Sequence, residues 1–373
     1  MKQVKVGFTG DVAFSRHYKD KYTQKGLVAP ELVTFLTDND YNVFNIEGAM
    51  CAPTHAGTFV HNNPPEGVAL LSTMKPNIWN LANNHMMDAG PEGCMETLQH
   101  AAEAGSKTIG AGANQLDAVK PVILPEAGGI GIIGLGYQPG CVAADAKTPG
   151  CSSWDKLGLI AKTVAEVKKT CRWCVTVIHG GREFCDIPMQ DIRDRYKSYL
   201  NMGVDVVVGH HPHVPQNWEK VGDKYIFYSL GNFIFDTDYQ RAQFHTDTGV
   251  LLRLLFTEKE VTFEAVGTHI DRSTGVVSQG EVPAVFTPLT EEDYKKVYPL
   301  AAKRFQEHIV KRVFFLHPED YPEGKTPETV AKILEDEFNR YPLPNTQLVM
   351  DEAARYDGKP LDKKYAALEA YLI

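Results

Sequence analysis

The sequence predicts an α/β fold in which mixed sheets are covered by helices, and three observations carry that reading. Through about residue 235, short apolar runs rich in β-formers alternate with helical stretches, the pattern of sheets with helices on their faces. Beyond that point two strand-like runs follow each other with only a short charged turn between them. Such neighbours are antiparallel, so the sheets are mixed, and a stacked pair fits better than one purely parallel sheet. From about Leu289 the chain becomes charged and helical.

Taken in order, Val4–Thr9, Val43–Ile46 and Asn77–Leu81 read as strands. Pro91–Ala104 reads as a helix, with proline near its start and Gly105 just past its end. Leu159–Lys169 is an amphipathic helix, followed by the strand Cys174–Ile178, a helix over Gln190–Met202 and the strand Val204–Val208. Tyr225–Phe235 closes this alternation, and Gly249–Phe256 and Val261–Val266 form the antiparallel pair. Turn residues in Ser273–Gly280 and Pro283–Pro288 mark a boundary. The expectation is a main unit over 1–280 and a helical C-terminal extension over 281–373 packed on it, with helices at Glu291–His308 and Glu328–Arg340.

Composition narrows the function classes. The 373 residues are 43% hydrophobic, enough to bury a core without disulfides. Against 38 basic residues stand 47 acidic ones, a net charge of −9. That balance argues against a nucleic-acid partner and leaves a small-molecule or polymeric anionic substrate, which bound cations can attract locally. The opening run Val4, Val6, Phe8 turns polar too soon for a secretory segment, and no membrane anchor is read. Seven cysteines, odd in number and scattered, point to reduced thiols and a cytoplasmic protein. Whether it forms a homo-oligomer stays open.

The chemistry is positional. The first strand ends in Gly10-Asp11, the second in Asn45-Ile46-Glu47-Gly48, and the third in Asn83-Asn84-His85 with Asp88 beyond. A later strand ends in His179-Gly180-Gly181-Arg182-Glu183, the next in Gly209-His210-His211-Pro212-His213, and the last in Ser229-Leu230-Gly231-Asn232-Phe233. In α/β sheets the carboxyl ends of strands line the ligand crevice, so six segments bring oxygen and nitrogen donors to one edge. Singly, each has a plain structural account: Asp11 as a cap, Asn83-Asn84 as turn formers, His85 as a hydrogen-bonded histidine. The run at 209–213 resists that treatment, because three imidazoles crowd the end of a buried strand. The set points to a metal site of imidazole, carboxylate and amide donors, suited to Mn, Fe or Zn.

Two other patterns are set aside. Gly129-x-Gly131-x-x-Gly134 has the dinucleotide spacing but lies within Ile130–Leu135, itself strand-like, with no helix opening after it. Cys171 and Cys174 have redox spacing without a second pair and read as packing thiols. Trp173 and Trp218 are core or substrate-facing aromatics.

In order over residues 4–240, these segments, with Arg16 and the Phe184 and Val214 that close two of them, resemble the poly-γ-glutamate capsule biosynthesis proteins of the CapA type. That family looks like a branch of the calcineurin-like metallophosphoesterases. The resemblance implies a metallophosphoesterase-like fold of two stacked mixed β-sheets flanked by helices. It puts Asp11 at the first-strand carboxylate, Glu47 at the bridging carboxylate, Asn84 at the ligand amide and His179 at the lone strand-end ligand. His211 and His213 become the paired histidines, and His210 a neighbour. Two divalent ions are expected, about 3.5–4 Å apart. The sequence departs from the pattern where Asp-x-His reads Asp11-Val12-Ala13 and where the bridging Asp is Glu47. The implied reaction is attack of metal-generated hydroxide on a phosphoester or related ester or amide. His85 then acts as general acid oriented by Asp88; Arg16 and Arg182 are candidates to grip the anionic substrate or else form ordinary ion pairs, and Glu183 and Asn232 stand at the substrate edge or just behind the ligands. The alternative is a binding component of anionic-polymer synthesis with little or no catalysis.

Overall fold

Two mixed sheets lie face to face with helices on their outer sides. The computed structural model describes residues 3–301, apart from 53–60, 138–139, 242 and 300. The first sheet runs Val277–Gly280, Val261–Ile270, Thr248–Phe256, Val4–Val12, Tyr41–Ile46, Ile78–Asn80, Lys107–Ile109, and the short strand Asn232–Ile234 pairs with the end of Val4–Val12. Its last four members are parallel, and Thr248–Phe256 and Val261–Ile270 are antiparallel as expected. The second sheet runs Trp218–Val221, Lys224–Phe227, Val206–His210, Trp173–His179, Ile130–Gly136, Val122–Leu124, with its central four strands parallel.

Strand alternation divides the core into layers. In Trp173–His179, Val175 and Val177 join Val6, Phe8, Val43 and Leu252 of the other sheet in a shared core. Cys174 and Ile178 on the opposite face pack under the helices Leu157–Thr170 and Gln190–Met202. A strand buried on both faces has no polar side, which is why this run reads as continuously apolar. On the far side of the first sheet, Phe44 and Trp79 meet Leu32 and Leu36 of Pro30–Thr37 and Ala101 of Gly90–Glu103. The spacing of Leu157, Ile160, Ala161 and Val164 supplies one buried helical stripe. Gln190–Met202 stops where Gly203 takes φ +114° and donates back to Leu200, a left-handed end that glycine adopts without steric cost.

Several boundaries differ from expectation. The first strand does not stop at Gly10 but continues through Val12. Parallel neighbours on both sides supply partners there: Asp11 N donates to Gly231 O at 2.9 Å and Glu47 N to Val12 O at 2.9 Å. Asp11 is therefore a strand residue and not a cap. The run Tyr225–Phe235 is two strands in different sheets, Lys224–Phe227 and Asn232–Ile234. The chain crosses between the sheets at Gly231, with φ +69°. Gly131 and Gly134 lie inside Ile130–Gly136. A Cβ on Gly131 would meet Val167 of the covering helix at 2.4 Å, so this glycine serves packing. Trp173 is buried, donating Nε1–H to Thr257 O at 2.8 Å, and Trp218 stacks within an aromatic group with Tyr225 and Phe263.

All seven cysteines are buried and none is in a disulfide. No helix among the described residues is long and apolar enough to cross a membrane. Residues 291–299 are helical, the start of the expected Glu291–His308 element. The rest of that element and Glu328–Arg340 lie outside the described residues. The described part lies against the second sheet's helix: Tyr294 Oη donates to Pro188 O at 3.1 Å, and Arg193, buried, pairs with both Glu219 and Glu291.

The sheets approach closely at Gly134, where an added Cβ would fall 2.4 Å from Asn80 Oδ1 and 2.7 Å from the Gly110 backbone. Gly134→Ala is expected to destabilise the protein by about 1–3 kcal/mol, read as a lowered urea midpoint.

Candidate metal centre

Both sheets deliver the carboxyl ends of their parallel strands to one edge, and the donors meet there. A chain of amides links the sheets beneath the site. Asn80 Nδ2 donates to Asn45 Oδ1 at 2.7 Å, and Asn45 Nδ2 donates to Asp11 Oδ1 at 2.8 Å while lying 3.2 Å from His179 Nδ1. With Nδ1 held, the other ring nitrogen of His179 faces the crevice. His179 Nε2 lies 2.9 Å from Asn84 Oδ1, 3.2 Å from His211 Nδ1 and 3.8 Å from Glu47 Oε1. One ligand atom from each of Asp11, Glu47 and His213 lies within 4.8 Å of the others, and the same holds for Glu183, His211 and His213. The structure thus brings together Asp11, Glu47, Asn84, His179, His211 and His213.

Glu47 stands out. It is fully buried, and neither carboxylate oxygen has a hydrogen-bond partner. The imidazoles of His85, His179 and His213 face it, at 3.7–3.9 Å from Oε1. Burial pushes its carboxyl well above the usual range; His213 opposes this in part, and Asp11 adds to it. An ionised carboxylate in such a place costs several kcal/mol unless a cation compensates it. Asp11 is different. Burial alone would raise it, yet hydrogen bonds from His210 and His213 hold it well below the ordinary range.

The imidazoles divide in the same way. Burial, with the neighbouring His211, keeps His179 well below its usual value, and burial brings His211 down to about 4. Both are neutral at pH 7, the form that ligates metal. His213 is the exception: burial is overcome by Glu47 and by the hydrogen bond to Asp11, which raise it to about 10. A proton on His213 thus occupies the electrostatic place between two carboxylates that a divalent ion would take. The donor set, the orphaned Glu47 oxygens and the neutral imidazoles fit a divalent cation.

Backbone strain sits here too. His211 (φ +96°), His213 (φ +58°), Phe184 (φ +60°) and Arg16 (φ +56°) are non-glycine residues in the left-handed region, a cost that clusters at functional sites. His85 Nδ1 is 2.8 Å from Asp88 Oδ2, so Asp88 holds the ring with Nε2 towards Glu47. Asn232 is buried, its amide oxygen 3.0 Å from His213 Nδ1 and its nitrogen donating to Gln240 and Thr246. It orients the His213 ring. Arg182 donates to Asp191 at 2.8 Å, Arg16 is exposed, and Glu183 is half-buried beside His211 and His213.

Sequence reading missed four supports. Asn45 and Asn80 form the amide chain; polar residues set opposite each other in otherwise apolar strands were the available signal. Asn83 accepts from Gly48 N and His85 N and donates to Ile46 O, fixing the loop that carries Asn84 and His85. His61 donates its backbone N–H to Asp88 and meets His85 edge to face, with centroids 4.3 Å apart. Burial and the nearby His85 push His61 down to about 2. No local pattern marks it.

Comparisons with known proteins place the chain in a family. Residues 5–237 match the family described as Bacterial capsule synthesis protein PGA_cap. The PGA biosynthesis protein CapA of Bacillus subtilis is 30% identical over 247 residues, covering 64% of this chain and 65% of that protein, just under two thirds of its length. The capsule biosynthesis protein CapA of Bacillus anthracis is 30% identical over 334 residues, 84% of this chain and 80% of that one. A Mycobacterium tuberculosis relative, named a probable polyglutamine synthesis accessory protein, is 27% identical over 241 residues, with 59% and 61% covered.

The raised His213 gives a pH prediction. A base whose pKa rises on folding stabilises the fold below its unfolded value, near 6.5, and that stability is lost as pH climbs through the folded value, about 10. The metal-free protein is therefore expected to lose thermal stability between about pH 7 and 10. Added Mn²⁺ should restore it while releasing protons, which calorimetry in buffers of different ionisation enthalpy reads directly. A metal-free melting temperature that rises over this range would refute the protonated His213.

Proposed function

The chain belongs to the CapA-type bacterial capsule synthesis family, and from that membership we propose that it is a metal-dependent hydrolase of a phosphoester, or a related ester or amide, serving anionic-polymer synthesis. The observation that carries this reading is the Glu47 carboxylate, buried with both oxygens unpartnered and faced by imidazoles. In this reading Asp11, Glu47, Asn84, His179, His211 and His213 hold the cation or cations. A divalent ion held there lowers the pKa of a coordinated water and offers positive charge to a phosphoryl or acyl oxygen.

The remaining work falls to the protein's own groups. His85 hands a proton from Nε2 to the leaving group. Asp88, accepting from Nδ1, steadies the ring and the charge it carries in doing so. His61 meets that ring edge to face and helps to fix its position. Arg16 stands exposed nearby, and its guanidinium is our candidate to meet an anionic substrate group. Asn232 and the Asn45–Asn80 amides keep His213 and His179 in their ring orientations.

A second reading has a specific observation in its favour: one relative is named as an accessory protein of polymer synthesis. There the same centre binds a polyanion through the cation without turning it over.

Elemental analysis and turnover of p-nitrophenyl phosphate with added Mn²⁺ separate the two. His85→Ala is expected to keep its metal and lose about 10²–10⁴-fold in kcat, whereas His211→Ala loses metal. Full turnover by His85→Ala removes the acid assignment. Tight metal without turnover on a panel of esters and amides moves the protein to the binding reading.

A further inference from the structure

The first strand carries no donor after Asp11. Val12 is buried in the apolar core and Ala13 has no ligating atom. The loop after His179 carries one. Gly180 N donates to His210 O at 3.0 Å and Phe184 N to Pro212 O at 2.9 Å, so this loop is laced to the turn that bears His211 and His213. The fit is close: a Cβ on Gly181 would lie 3.1 Å from Pro212 Cγ. Phe184 stacks on the His213 ring with an interplanar angle of 26°. Beyond it, Gln216 Nε2 donates to Cys185 O at 2.6 Å, and Arg182 is tied to Asp191. Between those anchors Glu183 reaches His211 and His213, one ligand atom of each lying within 4.8 Å of the others. His213 belongs equally to the group with Asp11 and Glu47, so the two groups are parts of one centre. The fully buried, unpartnered oxygens of Glu47 fit a divalent cation at this centre.

We propose that Glu183 is a direct metal ligand of this centre, on the side of His211 and His213, supplying the donor that Val12 and Ala13 do not. The inference rests on the metal-centre reading above and adds a third carboxylate to it. Three carboxylates and neutral imidazoles make a harder, more anionic donor set, which shifts preference towards Mn²⁺ and Fe²⁺ relative to a histidine-rich zinc site. It also gives the His211–His213 turn, with both histidines at positive φ, a cation to be organised around.

The test uses the full chain and Mn²⁺ alone. Manganese affinity is measured by calorimetry, bound Mn²⁺ by elemental analysis and its environment by electron paramagnetic resonance, for the wild type, Glu183→Gln and Glu183→Asp. Ligation requires the oxygen at its distance, so both variants should bind Mn²⁺ at least about tenfold more weakly or lose one equivalent, with an altered Mn²⁺ spectrum. If Glu183 acts only through its charge, Glu183→Asp keeps wild-type affinity and spectrum, and the inference is overturned. Unchanged binding by Glu183→Gln overturns it as well. A wild type that takes up no Mn²⁺ removes the metal-centre reading itself, which distinguishes that failure from a failure of Glu183 alone. Melting temperatures of the metal-free variants confirm that each is folded.

Discussion

A carboxylate with no partner, deep in a protein, demands positive charge, and Glu47 makes that demand at the point where the two sheets meet. Both its oxygens are out of water and out of hydrogen-bond reach. In the metal-free fold the nearest compensation is a proton on His213, held there by Glu47 and Asp11 together. Around it the other imidazoles are forced neutral by burial. The same burial that makes Glu47 costly prepares His179 and His211 to donate lone pairs. The centre is electrostatically unfinished without a cation, and its donors are already gathered.

The scaffold holds that arrangement through contacts that carry no chemistry themselves. Sheet faces meet through Val, Ile, Leu and Phe residues, and the close approach at Gly134 and Gly110 brings Asn80 to the seam. From there the amides of Asn80 and Asn45 pass fixed orientation to Asp11 in one sheet and His179 in the other. Because each hydrogen bond crosses between strands or sheets, a slip of either sheet misdirects a ligand. The left-handed backbone at His211 and His213 is strain that this packing sustains.

Membership in the capsule synthesis family and the local departures from a standard binuclear pattern fit together. The family relation covers the two-sheet body, residues 5–237, and so spans every donor discussed. Within that body the first strand reads Asp11-Val12-Ala13 and the second ends in Glu47. The loop bearing Glu183 is laced to the His211–His213 turn, which brings a carboxylate beside those two histidines. A centre richer in carboxylates meets an anionic substrate with a different balance of attraction and repulsion from a histidine-rich one.

The sequence by itself determined the α/β class, the mixed sheets and the six segments that bear the ligands, because apolar period and strand-end polar residues are local signals. The crowding of 209–213 made a metal site legible, while the choice of Asp11, Glu47, Asn84, His179, His211 and His213 within those segments came from the family resemblance. Only the tertiary structure decided what depends on relations across the chain. It showed that the first strand runs on to Val12 because Asn232–Ile234 and Tyr41–Ile46 flank it. It split Tyr225–Phe235 between two sheets, turned Asn232 inward to His213, and set His61 on His85. Asn45 and Asn80 looked like ordinary strand residues until their partners were known. Hydrogen-bond partners and burial of a charge are properties of pairs distant in sequence, and no local pattern of residue types encodes them.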